Sequence, residues 1–203
     1  KYYDDVWRHA DNVHFLGEDL WRRARERGCP PDMPHALIPP AIDTALFQPP
    51  AGRDAIDVGT DARPFRVLSV GRIVWKKGYK YGVDAIRVLQ QRGVRCEYRI
   101  IGDGDKFEAV AFARHQMGVE EQVAMLGAKA PAEVKAQMSW ADVFLHPATS
   151  EGFCNAVIEA QAMALPVVCT DADGLAENVL DGETGFVVPR RCPDQLAAKL
   201  ELL

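Results

Sequence analysis

From residue 65 to its end the chain alternates short apolar runs with longer stretches of helical spacing. The runs cover 65–70, 96–101, 122–126, 142–145, 166–169 and 185–188, each four to six residues long. The stretches at 77–92, 106–117, 131–139, 155–164, 175–180 and 193–203 repeat apolar residues at three- and four-residue intervals. Short apolar runs bounded by Gly and Pro predict strands. A strand followed by a helix, repeated, predicts parallel βαβ units with right-handed crossovers. The expected fold is therefore α/β, a Rossmann-like doubly wound parallel sheet. Ligands of such sheets sit at the carboxyl ends of the strands, so the loops leaving those ends are where chemistry is sought.

The part before residue 65 reads differently. Residues 4–28 predict a helix, a short strand at 12–16 and a basic helix at 18–27. The stretch Trp21-Arg-Arg-Ala-Arg25 offers either a solvated helix face or a membrane-surface contact, and the solvated face is preferred. Seven prolines between Pro30 and Pro50 then mark a connector with turns, containing the short apolar piece 36–38. Residues 51–61 are polar. The expected division is 1–50, a connector at 51–63, and a ligand-binding domain at 64–203. Lys1 opens inside helical spacing and 194–203 keeps that spacing to the last residue, so the chain reads as a piece of a longer protein.

Charge narrows the partners. With 24 Lys+Arg against 29 Asp+Glu the formal net charge is −5, which argues against nucleic acid, whose binding wants a basic field. No apolar run approaches the ~18 residues that span a bilayer. The five cysteines, Cys29, Cys96, Cys154, Cys169 and Cys192, have no metal-ligand spacing. Cys96 and Cys169 lie in apolar runs and are expected as buried free thiols, which favours a reducing compartment.

Three loops at strand ends stand out. The first, Ser69-Val-Gly71-Arg72-Ile-Val-Trp-Lys-Lys77-Gly78, combines a tight turn at Gly71 with two cations, Arg72 and Lys77. These residues suit phosphate oxygens, or are surface cations on a loop; the spacing is not that of a P-loop. The second, Gly102-Asp-Gly-Asp-Lys-Phe107, starts like a dinucleotide fingerprint, but Phe107 replaces the third glycine and two aspartates would repel a pyrophosphate. Capping of the next helix by Asp105 is the preferred reading. The third runs from His146 through Glu151, Gly152, Phe153, Cys154 and Asn155 to Glu159. If Asn155 caps the helix, its free N–H groups form an anion site beside Glu151. Glu159 is placed to accept hydrogen bonds from a ribose diol, or simply to carry favourable charge at a helix start. His146 offers a base or a lone metal ligand, and a structural role is preferred because no second ligand stands at metal spacing. Asp171-Ala-Asp173 resembles a metal-binding Asp-x-Asp, but a turn is preferred.

Together these residues form an ordered set. VLSVGRIVWKKG at 67–78, IIGDG at 100–104, FLHPATSEGFCNAVIEAQAMALPVV at 144–168 and ENVLDGETGFVVP at 177–189 resemble the donor-binding half of retaining glycosyltransferases of family 4. These enzymes have the GT-B architecture of two Rossmann-like domains. The resemblance runs from about residue 10 to the end, and its variant of the third motif is most similar to bacterial enzymes that build surface polysaccharides. Cys154 stands where Gly is frequent, Ala164 where Gly is usual, and Ala172-Asp173-Gly174 replaces a commoner Gly-Gly pair.

The resemblance implies transfer of a sugar from a nucleotide-diphosphate sugar (UDP-, GDP- or ADP-linked) with retention of configuration. It implies that Arg72, Lys77 and Glu151 are the catalytic groups. Donor binding would involve Gly71, Arg72, Lys77, Glu151, Gly152, Phe153, Cys154, Asn155 and Glu159, with no metal and no cofactor. Residues 1–50 would be the tail of an N-terminal acceptor domain plus the hinge, so the chain alone would bind donor but transfer little sugar. The acceptor would be a saccharide or lipid-linked saccharide, in the cytoplasm, with any membrane contact peripheral at the inner face. The rivals are another enzyme on the same architecture, epimerase-like or a pyridoxal-dependent phosphorylase, and a non-catalytic nucleotide-sugar-binding module.

Overall fold

The computed structural model describes residues 2–50 and 63–203, so the predicted connector at 51–63 lies, apart from Arg63, outside the described residues. The chain begins with α1 (Tyr2–His9), β1 (Val13–Phe15), α2 (Glu18–Glu26) and β2 (His35–Leu37). β1 and β2 pair in parallel as a two-stranded sheet of their own, with Phe15 opposite Leu37. β2 corrects the reading of 36–38 as connector. Flanking bonds extend its ladder, Val13 N donating to Pro34 O at 3.0 Å and Ile38 N to Phe15 O at 3.0 Å. Phe15, Ala24, Cys29 and Met33 are buried between this ribbon and α2.

The basic helix face is mostly occupied within the protein. Trp21 stacks on His35 with centroids 3.9 Å apart, and the Arg25 guanidinium lies over Trp21. Arg22 pairs with Asp19 and Glu26, and Arg23 reaches Asp173.

The large sheet is built from β3 (Phe65–Val70), β4 (Cys96–Ile101), β5 (Val123–Met125), β6 (Val143–His146), β7 (Val167–Thr170) and β8 (Gly185–Val188). Between and after them lie α3 (Tyr79–Gln91), α4 (Phe107–Gln116), α5 (Pro131–Trp140), α6 (Asn155–Ala162) and α7 (Pro193–Leu200). Its six strands run in the order β5-β4-β3-β6-β7-β8, every neighbouring pair parallel. The chain thus winds outward from β3 to β5, then returns to the other side of β3 and winds outward again, the doubly wound Rossmann order.

Why the strands read as continuous apolar runs follows from burial on both faces. Along β3, Val67 joins one core with Tyr98, Ile100 and Leu145, covered by Val83 and Ile86 of α3, Val110 of α4 and Leu196 of α7. Leu68 joins the other with Phe144 and Val167, covered by Val134 and Met138 of α5 and Val157 of α6. Cys96 and Cys169 are buried and free as expected, as are Cys29 and Cys154, and burial pushes the thiols of Cys96 and Cys169 up to about 12.

Three local expectations are corrected. The helix predicted at 77–92 is a 3-10 turn (Trp75–Lys77) followed by α3, because Gly78 lies between them in the left-handed region. The helix predicted at 175–180 is a 3-10 turn over Asp173–Asn178. Asp105 does not cap α4: Lys106 holds that position without a side-chain cap bond, and Asp105 pairs with Lys106 at 3.2 Å. Among the described residues no helix is long and apolar enough to cross a membrane.

Candidate functional site

The strand order puts the topological switch between β3 and β6. Connections diverge there in opposite directions, and the crevice they leave at the carboxyl end of the sheet is where such folds bind ligands. Two of the three loops singled out in the sequence leave these two strands.

Two glycines shape the loop after β3. Gly71 has φ +151°, and a Cβ there would stand 3.1 Å from the Tyr79 hydroxyl and 3.7 Å from Lys77 Cε. Its bare backbone lets Lys77 fold back over the strand end, while the Tyr79 hydroxyl donates to Gly71 O at 2.9 Å. Gly78 has φ +65°, and a Cβ would lie 2.0 Å from Pro147 O, so only glycine fits against the loop after β6. The loops are further tied by Thr149 N donating to Lys76 O at 2.7 Å. The Gly102–Gly104 turn buttresses the same loop: Ile73 N donates to Asp103 O at 2.8 Å and Lys106 N to Ile73 O at 3.0 Å.

The cations differ in setting. Arg72 is exposed and has no side-chain partner among the described residues. Lys77 is largely buried and forms an ion pair with Glu151. Glu151 Oε2 also lies 3.4 Å from His146 Nε2, which in turn lies 3.5 Å from Cys154 Sγ. Burial pushes the Glu151 carboxyl up, but the His146 hydrogen bond and the Lys77 charge outweigh it and hold the carboxyl down to about 2. Burial likewise raises the Cys154 thiol, and the His146 and Lys77 charges bring it below the ordinary value. His146 is fully buried, which lowers its pKa, yet Cys154 and Glu151 raise it on balance.

The start of α6 is organised otherwise than expected. Asn155 does not cap it: Asn155 is its exposed first residue, Cys154 occupies the cap position, and neither supplies a side-chain cap bond. The Cys154 N–H is donated to Asn178 Oδ1 at 3.2 Å, so it is not free for a ligand. The N–H groups of Gly152 and Phe153 have no acceptor among the described residues. Glu159, one turn further, is half-buried, and burial raises its pKa. It lines a cleft of about 340 Å³ with Ile42, Leu46, Val70, Lys129 and Val134. Glu151 is not among the residues lining that cleft.

Asp171 precedes, and Asp173 opens, the 3-10 turn Asp173–Asn178, and both carboxylates are engaged within the protein. Asp171 Oδ1 accepts from Arg190 N at 2.8 Å. Asp173 accepts from Ser150 Oγ at 2.7 Å, from Arg190 at 3.0 Å and from Arg23. Burial raises Asp173, but these bonds hold it below its usual range on balance. The Arg190 clamp and the grouping of His146 with Cys154 were not foreseen. In the first case 17 residues separate Arg190 from Asp173, and in the second a folded loop joins residues eight apart.

With this geometry in place, comparison with known proteins is informative. Residues 54–203 match the family described as "Glycosyl transferases group 1". The chain is 33% identical, over 98% of its length and 48% of the relative's, to a putative colanic acid biosynthesis glycosyltransferase, WcaL, of Salmonella typhimurium. It is 32% identical, over 82% of its length and 46% of the relative's, to a GDP-mannose-dependent alpha-(1-6)-phosphatidylinositol monomannoside mannosyltransferase of Mycobacterium tuberculosis. The chain therefore spans about half the length of the curated relatives it matches. The crystal structure of Anabaena Alr3699/HepE in complex with UDP and glucose superposes with a TM-score of 0.82 at 20% identity, covering 99% of this chain and 55% of that one, a likeness of fold.

Proposed function

Because the chain belongs to the group 1 glycosyl transferases, we propose that it is the donor-binding half of a retaining, GT-B-type glycosyltransferase of family 4. In this reading 64–203 binds the nucleotide sugar, and 1–50 is the tail and hinge of an acceptor-binding half. The observation that carries it is the convergence, at the β3/β6 switch point, of Arg72, of Lys77 and of the N–H groups of Gly152 and Phe153, with Arg72 and these N–H groups unpartnered among the described residues. That set is complementary to a diphosphate. Arg forks onto its oxygens, Lys supplies a compact charge, and the start of α6 adds its positive dipole end.

The chemistry follows from where charge develops. Breaking the bond between sugar and diphosphate leaves negative charge on the leaving group. Arg72 and Lys77 stabilise that charge without a metal, and no cofactor is required. The anomeric carbon becomes oxocarbenium-like, as in glycoside hydrolysis, and attack comes from the face the diphosphate leaves. Glu151, held charged beside Lys77, is assigned to the transferred sugar. Glu159 is assigned to the ribose hydroxyls, in its cleft near Lys129. Asn155 is left as a contact through the backbone of the helix start, and Gly71 as the turn that aims the cations. The acceptor, a saccharide or lipid-linked saccharide of polysaccharide synthesis, would come from the other half of the parent protein.

Calorimetric titration with UDP, GDP, ADP and their sugars, with and without magnesium, tests this. The expected result is binding of one nucleotide without metal, weakened by both Arg72→Ala and Glu159→Ala. UDP and GDP are the leading probes, since relatives or fold neighbours are named with them. Magnesium-dependent binding that survives Arg72→Ala would move the site elsewhere and sink the assignment.

A further inference from the structure

Where β6 ends and α6 begins, three side chains of different chemistry converge, and the donor reading uses only one of them. His146 Nε2 stands 3.5 Å from Cys154 Sγ and 3.4 Å from Glu151 Oε2. The three donor atoms all lie within 4.8 Å of one another. His146 is 0% exposed and Cys154 4%, so water competes little for either. A single ring nitrogen thus faces both a sulfur and a carboxylate. If it carries a proton it serves at most one of them well, and the separations are long for hydrogen bonds. If it carries none, its lone pair points at a carboxylate.

The same separations fit two ligands on one tetrahedral zinc ion. With Zn–N about 2.0–2.1 Å, Zn–S about 2.3 Å and Zn–O about 2.0–2.2 Å, the N···S edge comes to about 3.5–3.6 Å and the N···O edge to about 3.3–3.5 Å. We propose that His146, Cys154 and Glu151 form a binding site for a zinc-type divalent ion, with a fourth position left to water. One thiolate, one imidazole and one carboxylate suit zinc rather than magnesium or calcium, which want oxygen ligands throughout. On binding, the Cys154 thiol proton leaves to solvent and the thiolate takes up the metal.

Lys77 already holds Glu151 Oε2, and ammonium and metal ion are alternatives for that oxygen. Zinc would therefore displace Lys77 from Glu151 and disable both groups for the donor. That consequence, inhibition rather than catalysis, rests on the donor reading; the site itself does not.

The test titrates the reduced, metal-free chain with cobalt(II) and follows the thiolate-to-cobalt charge-transfer band in the near ultraviolet. One equivalent is expected to bind and to be displaced by zinc. Cys154→Ser should abolish the band while Cys192→Ser keeps it, with the fold of both checked by circular dichroism. Glu151→Gln, a milder change, should weaken cobalt binding by about tenfold or more. Lys77→Gln should tighten it, because the competing cation is gone. No band, a band that survives Cys154→Ser, or affinity indifferent to Lys77→Gln would each overturn the site. In a parallel arm zinc should weaken binding of whichever of UDP, GDP and ADP the wild type binds, but not its binding to Cys154→Ser, and unaltered nucleotide binding would refute the inhibition. Absence of UDP, GDP and ADP binding alike beside an intact cobalt band would refute the donor reading and leave the metal site standing.

Discussion

Glu151 and Glu159 are the same residue type eight positions apart, and their surroundings drive them in opposite directions. Burial raises both. Glu151 alone has a histidine and an ammonium against it, and these hold its carboxyl at about 2. Its folded pKa therefore lies below the unfolded value, so its contribution to stability is fully present above about pH 4.5 and is lost as pH falls toward 2. The stability difference between the wild type and Glu151→Gln should contain a pH-dependent part on the order of 3 kcal/mol at neutral pH. Urea denaturation at a series of pH values should find that part roughly halved by about pH 3. A difference that stays constant from pH 6 to pH 3 would mean that Lys77 and Glu151 do not form a charged pair in solution. The sequence placed both carboxylates at the right loop and helix, but gave no sign that Lys77 and Glu151 neutralise each other, since 74 residues separate them.

Among the elements, α2 is joined to the large sheet through two carboxylates of one 3-10 turn, Asp173, which holds Arg23, and Glu177. Glu177, in the 3-10 turn after β7, accepts from Glu18 N at 2.8 Å and from Asp19 N at 2.6 Å. It thereby caps α2, whose own cap position, Gly17, has no side chain to do so. Glu177→Ala should cost about 1 kcal/mol, as loss of a helix cap does. The effect should be local: hydrogen exchange should speed up in α2 and the β1–β2 ribbon while β3 to β8 keep their protection. Equal loss in both sheets would show that the cap is not a separate joint. Such long-range caps explain what the sequence concealed. The strands of the large sheet were legible because burial on both faces writes a continuous apolar run. β2 was not, because three residues among prolines show no period. Asn155 looked like a cap by type and position, yet the N–H nearest the helix start is satisfied by Asn178, 24 residues on. The His146–Cys154 pair lay hidden for a related reason, since a loop and not a helical repeat brings the two together.

For the molecule as a whole, the cation loop, the start of α6 and the Glu159 cleft lie at one end of a single sheet, and each faces a nucleotide sugar rather than an acceptor in the proposed reading. The doubly wound order has one switch point, between β3 and β6, and these groups lie beside it. The curated relatives are about twice as long as this chain, and in the proposed reading the acceptor is presented by the other half of the parent protein. Donor binding and sugar transfer should therefore separate experimentally. Nucleotide at about 100 times its dissociation constant should stabilise the 203-residue chain by roughly 2.7 kcal/mol, read as a rise in melting temperature. The same preparation, given donor sugar and an oligosaccharide or lipid-linked acceptor, should release nucleotide no faster than the Arg72→Ala variant. Robust transfer by the 203-residue chain would mean that residues 1–50 and the large sheet already make an acceptor site, and the division into donor half and missing acceptor half would have to be given up. Stabilisation without transfer would fix the role of this sheet as the half that holds the leaving group while the rest of the enzyme presents the nucleophile.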